Sequence, residues 1–225
     1  YTFFNKNTGY GQGHNLLARE SKSDLLLFCN PDLIVGAPFF HEMLKPFIGN
    51  TETGIVEARQ SPIEHPKEYS IETGETEWAS GACMGIWTDL FLRLGGFDDK
   101  TFFMYAEDVD LSWRVRLAGY RVIYQPRAVA YHPKKLDHEG CWSPSYAEEY
   151  HSTESMMLLA YKWHDEKHLK RLFEDARNGG AAQRDALCAF QERVQLGNLP
   201  EQIIQGEGIA SFYPEGRVAE HRFAL

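Results

Sequence analysis

Three carboxylates, Glu107, Asp108 and Asp110, fall within four positions of one another. They lie inside the run Phe102-Phe103-Met104-Tyr105-Ala106-Glu107-Asp108-Val109-Asp110-Leu111-Ser112-Trp113-Arg114. Leu111, Val115 and Ala118, with Trp113 and Leu117 alongside, follow at helical spacing, and the pattern stops at Gly119. The acids therefore belong in or just before the first turn of a helix. One acid there needs only the positive end of the helix dipole to explain it. Three acids behind an aromatic run describe a carboxylate held at the rim of a pocket.

A second chemical candidate follows Asp24-Leu25-Leu26-Leu27-Phe28-Cys29, a continuous apolar run expected to be a strand buried on both faces. Pro31 cannot continue a central strand, so the chain turns at Asn30-Pro31-Asp32. Asn30 and Asp32 then stand at the carboxyl end of that strand, where open α/β sheets place ligands. Asp32 there suits a hard cation such as Mg²⁺ or Mn²⁺, or it closes an Asx turn without any ligand. His132, at the end of another expected strand, Ala128 to Tyr131, is either structural or a further metal ligand.

Weaker signals surround these. Gly9, Gly11 and Gly13 form a glycine-spaced turn, expected as a plain loop or as a close approach to a phosphate, before a helix ending near Ser21. Trp78-Ala79-Ser80-Gly81-Ala82 sets small residues behind a Trp, which either stacks on a sugar or base or sits in the core. Ser61 to Glu75 is expected to be a long surface loop whose His65 and Lys67 either touch a ligand or, the preferred reading, are solvated.

Around these candidates the pattern is α/β. A helix is expected over Pro38 to Phe47, a short strand over Gly54 to Arg59, and a Thr-capped helix over Thr88 to Leu94. Two strands, Arg121 to Tyr124 and Ala128 to Tyr131, are expected on either side of Pro126. Lys134 to Tyr146 is loop-like. Ala147 to about Gln195 is helical, broken at Asn178-Gly179-Gly180. Its stretch Met156 to Trp163, with Lys162, Lys167, Lys170 and Arg171, is either a helix on the core with a solvated basic face or a peripheral membrane contact.

The chain has 225 residues, 43% hydrophobic and 24% charged, enough for a real core. Its net charge of −9 disfavours nucleic acid. Cys29, Cys83, Cys141 and Cys188 are scattered without a CxxC pair, which suits a cytoplasmic setting better than a disulfide scaffold or a zinc cage. No apolar run approaches the roughly 20 residues that span a bilayer. There is no signal peptide, although the chain opens at Tyr1 without Met, so upstream sequence is expected.

Taken in order, Asn7-Thr8-Gly9-Tyr10-Gly11…Asn15, Asn30-Pro31-Asp32, Trp78-Ala79-Ser80-Gly81-Ala82, Gly95-Gly96-Phe97-Asp98, Phe103 to Arg114 and His132 resemble family 2 of the glycosyltransferases, in its rhamnosyltransferase-like branch. Each motif is loose; their order and separations are specific. The resemblance runs from about Asn7 to Pro133. It implies a GT-A fold, a Rossmann-like three-layer α/β sandwich with a mixed, mainly parallel sheet. Residues 1–135 would be the catalytic domain, with its nucleotide-binding strands lying upstream, and 136–225 a mainly helical extension.

The resemblance also implies an inverting transfer from a nucleotide-sugar to a glycan or lipid-linked acceptor, with Mn²⁺ or Mg²⁺. By the same mapping Asp108 is the general base and Glu107 helps place the acceptor. Asp32 holds the metal, with His132 as a further ligand. Asn30, Gly9, Trp78, Ser80, Gly81, Asp110 and Arg114 border donor or acceptor. Repulsion from Glu107 and Asp110 raises the pKa of Asp108 and the helix dipole lowers it, a balance the sequence leaves open. One departure stands out: the family's Asp-x-Asp is Asn30-Pro31-Asp32 here, one carboxylate short. A degenerate nucleotide- or carbohydrate-binding domain is the rival reading. A two-carboxylate hydrolase is disfavoured, because adjacent acids cannot flank a sugar.

Overall fold

The computed structural model describes residues 1–133, 138, 143–204, 208–214 and 217–222. The elements run α1 (Gly9–Glu20), β1 (Leu25–Cys29), β2 (Ile34–Val35), α2 (Phe39–Leu44) with a 3-10 turn (Lys45–Phe47), β3 (Thr53–Ser61), β4 (Cys83–Trp87), α3 (Thr88–Arg93), α4 (Glu107–Leu117), β5 (Arg121–Tyr131), α5 (Tyr146–Lys162), α6 (Glu166–Asn178) and α7 (Ala181–Leu196). Most of the expected 134–146 loop, with Cys141, lies outside the described residues.

The strands form one sheet in the order β1-β4-β3-β5-β2. The expected mixed sheet is present, but its direction needs correction. Only β3 and β5 run parallel; β1 with β4, β4 with β3 and β5 with β2 are antiparallel. Apolar runs mark strands, but direction depends on how each connection returns, which no strand pattern encodes. β1, expected to be buried on both faces, is an edge of the described sheet, with Leu27 exposed. β3 is the interior strand with the longest buried run, continuous from Thr53 to Ala58.

Alternation along β3 divides the core. Ile55 joins Phe28, Met84, Ile86, Leu90, Phe91, Leu111 and Val115 under α1, α3 and α4, whereas Val56 and Ala58 meet Phe39, Met43 and Phe47 of α2 on the other face. The result is helix, sheet, helix. The two strands expected around Pro126 are one strand. Its register against β3 jumps from Ala58–Gln125 to Arg59–Val129, and the bulge accommodates a residue with no N–H to donate.

The expected glycine turn is the first turn of α1 itself. At Gly9, with φ +72°, a Cβ would stand 2.3 Å from the Phe103 carbonyl oxygen, so the glycine serves an internal contact rather than a ligand. Thr88 does not cap α3; its hydroxyl donates to the Ser23 carbonyl.

α4 is buried on two sides. Leu111 and Val115 face the sheet, and Val109 and Trp113 face Met157, Leu158, Leu159 and Trp163 of the helical region. Ala118 and Leu117, expected on the buried stripe, are exposed. Of the two readings of the Met156 to Trp163 stretch, the structure shows packing on the core. Among the described residues no helix is long and apolar enough to cross a membrane.

Charge joins the two regions as well. The fully buried Asp110 carboxylate accepts from Arg114 Nε at 2.8 Å and Trp163 Nε1 at 3.0 Å, and lies 2.7 Å from Lys162 Nζ. Arg114 also donates to the Leu94 and Gly96 carbonyls, at 2.8 Å each. Asp110 and Arg114, expected beside the ligands, and Lys162, expected on a solvated face, are committed to the interior instead. The spacing that put them on α4 and α5 could not show which helix would cover them. Breaking a buried pair strands the partner's charge. Asp110→Ala should therefore lower the unfolding free energy in urea by about 3–5 kcal/mol; a loss below about 1 kcal/mol would mean the cluster is solvent-relaxed like a surface pair.

Candidate active site

The segment Trp78–Ala82 lies between a long connection and β4, and its polar backbone groups find partners in other elements. Lys67 Nζ donates to the Trp78 carbonyl. The Ala79 amide donates to Ser112 Oγ at 3.0 Å, on α4. The Ser80 amide donates to the Glu57 carboxylate, on β3. The Gly81 amide donates to Asp108 Oδ2 at 2.7 Å, and the Gly81 carbonyl accepts from the Tyr10 hydroxyl at 2.5 Å. The Ala82 carbonyl accepts from the Asn30 amide at 2.9 Å. A Cβ at Gly81 would come within 2.9 Å of the Tyr10 oxygen and 3.3 Å of Asp108 Cβ, so no larger residue fits without displacing one of them.

α4 presents its acids as the sequence predicts. Tyr105 and Ala106 take left-handed φ values of 72° and 63° just ahead of the helix. Two such non-glycine residues in succession are strained, and the packing around them must hold them. The turn delivers Glu107 and Asp108 at the positive end of α4. Asp108 Oδ1 accepts from the Val109 amide at 2.8 Å. Burial raises the Asp108 pKa, and the amides of Gly81 and Val109 and the charge of Lys67 hold it back. Burial pushes Glu107 well above the ordinary carboxylate range, and the charge of Asp108 pushes it further. Glu107 Oε2 is buried with no hydrogen-bond partner among the described residues. Burial, more than repulsion or dipole, settles the question the sequence left open.

The strand-end residues meet as expected. His132 Nε2 lies 3.5 Å from Asp32 Oδ1 and 3.3 Å from Asn30 Nδ2. His132 Nδ1 lies 2.8 Å from Gln60 Oε1, while Gln60 Nε2 donates to Ser80 Oγ at 3.1 Å. The amide of Gln60 thus presents its oxygen to the ring, which places the imidazole proton on Nδ1 and leaves a lone pair on Nε2. Asn30 Nδ2 donates toward that lone pair. Nε2 and the Asp32 carboxylate thus approach each other beside Asn30, and an imidazole nitrogen with a carboxylate is a pair of groups that could hold a divalent cation. Among the described residues no cluster of three or more His, Cys, Asp or Glu forms a metal cage. A Mg²⁺-like ion held by few protein groups, and otherwise by phosphate and water, needs none.

Not every expected residue reaches this site. Trp78 is in the core, under Lys67 Nζ at 4.0 Å from its ring centroid and beside His65 at 5.0 Å. Ser80 is buried as a bracket between Gln60 and the Ala82 amide. Lys67, expected in solvent, is buried in an ion pair with Glu57 at 3% side-chain exposure each. Tyr10, Glu57 and Gln60 are residues to which sequence reasoning gave no role, and Lys67 is one it preferred to leave in solvent. Only Tyr10 carried a local signal, a bulky residue among three glycines. A separate cavity of about 390 Å³, lined by Arg19, Asp98, Lys100 and Arg114 among others, contains none of Asp32, Asp108 and His132.

A carboxyl whose folded pKa is raised contributes stability that is present below its unfolded value, about 4.3 for Glu, and lost as pH rises through the folded value. Glu107→Gln removes that loss. The variant should gain stability over the parent on going from about pH 5 to about pH 8 in thermal melts, and parallel curves would mean Glu107 is solvated when ionised.

No family profile matches the chain. It is 26% identical over 197 residues to rhamnosyltransferase WbbL of Escherichia coli (strain K12), covering 69% of this chain and 67% of that protein. It is 36% identical over 106 residues to the N-acetylglucosaminyl-diphospho-decaprenol L-rhamnosyltransferase of Mycobacterium tuberculosis, covering 46% of this chain and 31% of that protein. Among solved structures, GalNAc-T7 with UDP, GalNAc and Mn²⁺ superposes with a TM-score of 0.56 at 14% identity, over 88% of this chain and 46% of that one. The mannosyltransferase PcManGT of Pyrobaculum calidifontis with GDP-Man and Mn²⁺ gives 0.50 at 16% identity, over 84% and 50%. The chain thus spans between 31% and 67% of the lengths of these relatives and neighbours. Similarity in sequence to the first pair and in fold to the second leads to one conclusion: the chain is a relative of bacterial rhamnosyltransferases and carries a GT-A glycosyltransferase fold.

Proposed function

We propose that this chain is the catalytic part of an inverting glycosyltransferase, moving a sugar from a nucleoside-diphosphate sugar to a hydroxyl of a glycan or lipid-linked acceptor in surface polysaccharide synthesis. The observation that carries this reading is the Asp108 carboxylate, fixed by the Gly81 and Val109 amides and joined to the Asp32–His132 pair through Ser80, Gly81 and Ala82. A sugar hydroxyl is a poor nucleophile, and a positioned carboxylate within hydrogen-bond reach can take its proton. The acceptor oxygen forms a bond to the anomeric carbon as that carbon's bond to the diphosphate oxygen breaks on the opposite face. The hydroxyl proton passes to Asp108, and the nucleoside diphosphate leaves with the bonding pair. Glu107, adjacent and with Oε2 unpartnered among the described residues, favours the acceptor side of Asp108.

Asp32 and His132 Nε2 are the groups that would hold a divalent cation, with Gln60 fixing the ring's proton and Asn30 at its edge. When bound, such an ion offsets charge on the departing diphosphate. Support comes from the approach of His132 Nε2 to Asp32 Oδ1 and from the Mn²⁺ named with the structures of similar fold. The rhamnosyltransferase relatives favour a deoxyhexose donor and a lipid-linked acceptor. The domain reading also stands as a proposal, with residues 1–135 catalytic and 136–225 a helical extension that backs α4.

In the full-length protein, Asp108→Asn should lower turnover about 10²–10⁴-fold while donor binding changes little. Near-normal turnover would remove Asp108 from the chemistry. Thermal shift with UDP, dTDP, GDP and CDP, with and without Mn²⁺, reports the donor class: a saturating ligand at 100 times its Kd adds about 2.7 kcal/mol. Asp32→Ala should abolish the Mn²⁺-dependent part, and Gln60→Ala should weaken Mn²⁺ binding about 10–100-fold by freeing the His132 tautomer. A protein that shifts with none of these nucleotides would instead be a degenerate binding domain.

A further inference from the structure

Lys67 is an unexpected residue to find behind an active site. It comes from the long connection between β3 and β4, yet its side chain is 3% exposed, against the equally buried Glu57. Its stem and ammonium lie over Trp78, with Nζ 4.0 Å from the ring centroid. The segment around it is fastened from both sides by the C-terminal residues. Lys67 pairs with His221 across an antiparallel bridge. Glu68 donates to the Glu220 carbonyl at 2.9 Å, Arg222 donates to the Pro66 carbonyl at 2.7 Å, and Arg222 Nε donates to the Lys67 carbonyl at 3.0 Å.

The pair has two attachments to the turn that holds Asp108. Lys67 Nζ donates to the Trp78 carbonyl, and Glu57 accepts from the Ser80 amide, so the ammonium and the carboxylate grip alternate residues of one short segment. The next amide along, Gly81, donates to Asp108. Glu107 on its own helix, Tyr10 from α1 and Glu57 from β3 also interact electrostatically with Asp108, and none of these three is cationic. The Gly81 and Val109 amides favour the ionised form of this carboxylate, and the charge of Lys67 adds to them. Charge of the opposite sign acts both ways: Lys67 favours the ionised form of Asp108, and Asp108 favours the charged form of Lys67.

We propose that Lys67, paired with Glu57, is a positioning residue for this site: it fixes the Trp78–Gly81 turn against Asp108 and supplies the positive charge beside that carboxylate. This rests on the reading of Asp108 as the base. A buried pair that served stability alone would hold the turn without affecting the titration of Asp108.

The test is the Asp108 titration, followed by carboxyl ¹³C NMR on the full chain and assigned with Asp108→Asn. Lys67→Met with Glu57→Gln removes the pair without stranding a charge, a change that is often neutral for stability. The side-chain amide introduced in place of Glu57 can still accept from the Ser80 N–H, and the thioether introduced in place of Lys67 can still cover Trp78. Read against Glu57→Gln alone, which lacks the same acid and differs only in keeping Lys67, the double variant should show the Asp108 midpoint moved up by about one unit or more, the usual effect of losing a close opposite charge. An unmoved midpoint overturns the proposal. Should the double variant fail to fold, the reciprocal measurement decides: in Asp108→Asn, the ¹³Cε titration of Lys67 should move down, and an unmoved Lys67 overturns the proposal equally. Failure of the base reading looks different, as near-normal turnover by Asp108→Asn with the Lys67 coupling intact.

Discussion

The site depends on one hydrogen bond, from the Gly81 amide to the Asp108 carboxylate, and on the polar backbone around it. The Trp78–Ala82 segment precedes β4 and is largely buried, so the sheet does not satisfy its amides and carbonyls. Buried groups of this kind are costly unless paired. Here they are paired by Lys67, Ser112, Glu57, Asp108, Tyr10 and Asn30, drawn from α1, β3, α4 and the loops. Residues far apart in the chain are thereby held within a few ångströms. The same bonds that satisfy the turn also aim the carboxylate.

Burial on two sides gives α4 both its rigidity and its chemistry. Leu111 and Val115 anchor it to the sheet, while Val109 and Trp113 anchor it to α5, and Asp110 ties it to Lys162, Arg114 and Trp163. A helix so enclosed cannot let its first turn relax into water. Glu107 and Asp108 are therefore desolvated, and both pKa values are raised. The neighbouring acids differ in fate because of their partners. Asp110 has cations and an indole N–H, Asp108 has amides, and Glu107 Oε2 has no partner among the described residues. That gradient from fully paired to unpaired, along one turn, separates a structural acid from the two proposed for the chemistry.

At the other edge, hydrogen bonds orient the side chains. Asn30 stands where a second acid would in an Asp-x-Asp, and it donates toward His132 rather than competing for a cation. Gln60 does the orienting, with one end on Ser80 and the other on the ring. The bracket Gln60–Ser80 belongs to the same turn that holds Asp108. The proposed base and the proposed metal pair thus share a support, and a shift of that turn would move both.

Much of this was legible in the sequence, for physical reasons. The acids before a 3.6-residue apolar pattern placed Glu107, Asp108 and Asp110 in the first turn of a helix, and Pro31 after an apolar run placed Asn30 and Asp32 at a strand end. These are local rules of propensity and capping, and they operate within a few residues. The direction of the strands, the continuity of β5 through Pro126 and the edge position of β1 depend on long connections, and no local pattern encodes them. Nor could spacing separate Asp110 from Asp108: both are acids in one turn, and only the arrival of Lys162 and Trp163 from the end of α5, 52 and 53 positions later, made one of them structural. Lys67 and Gln60 were the least legible, because a polar residue in a polar stretch looks solvated until the tertiary structure shows what it is buried against.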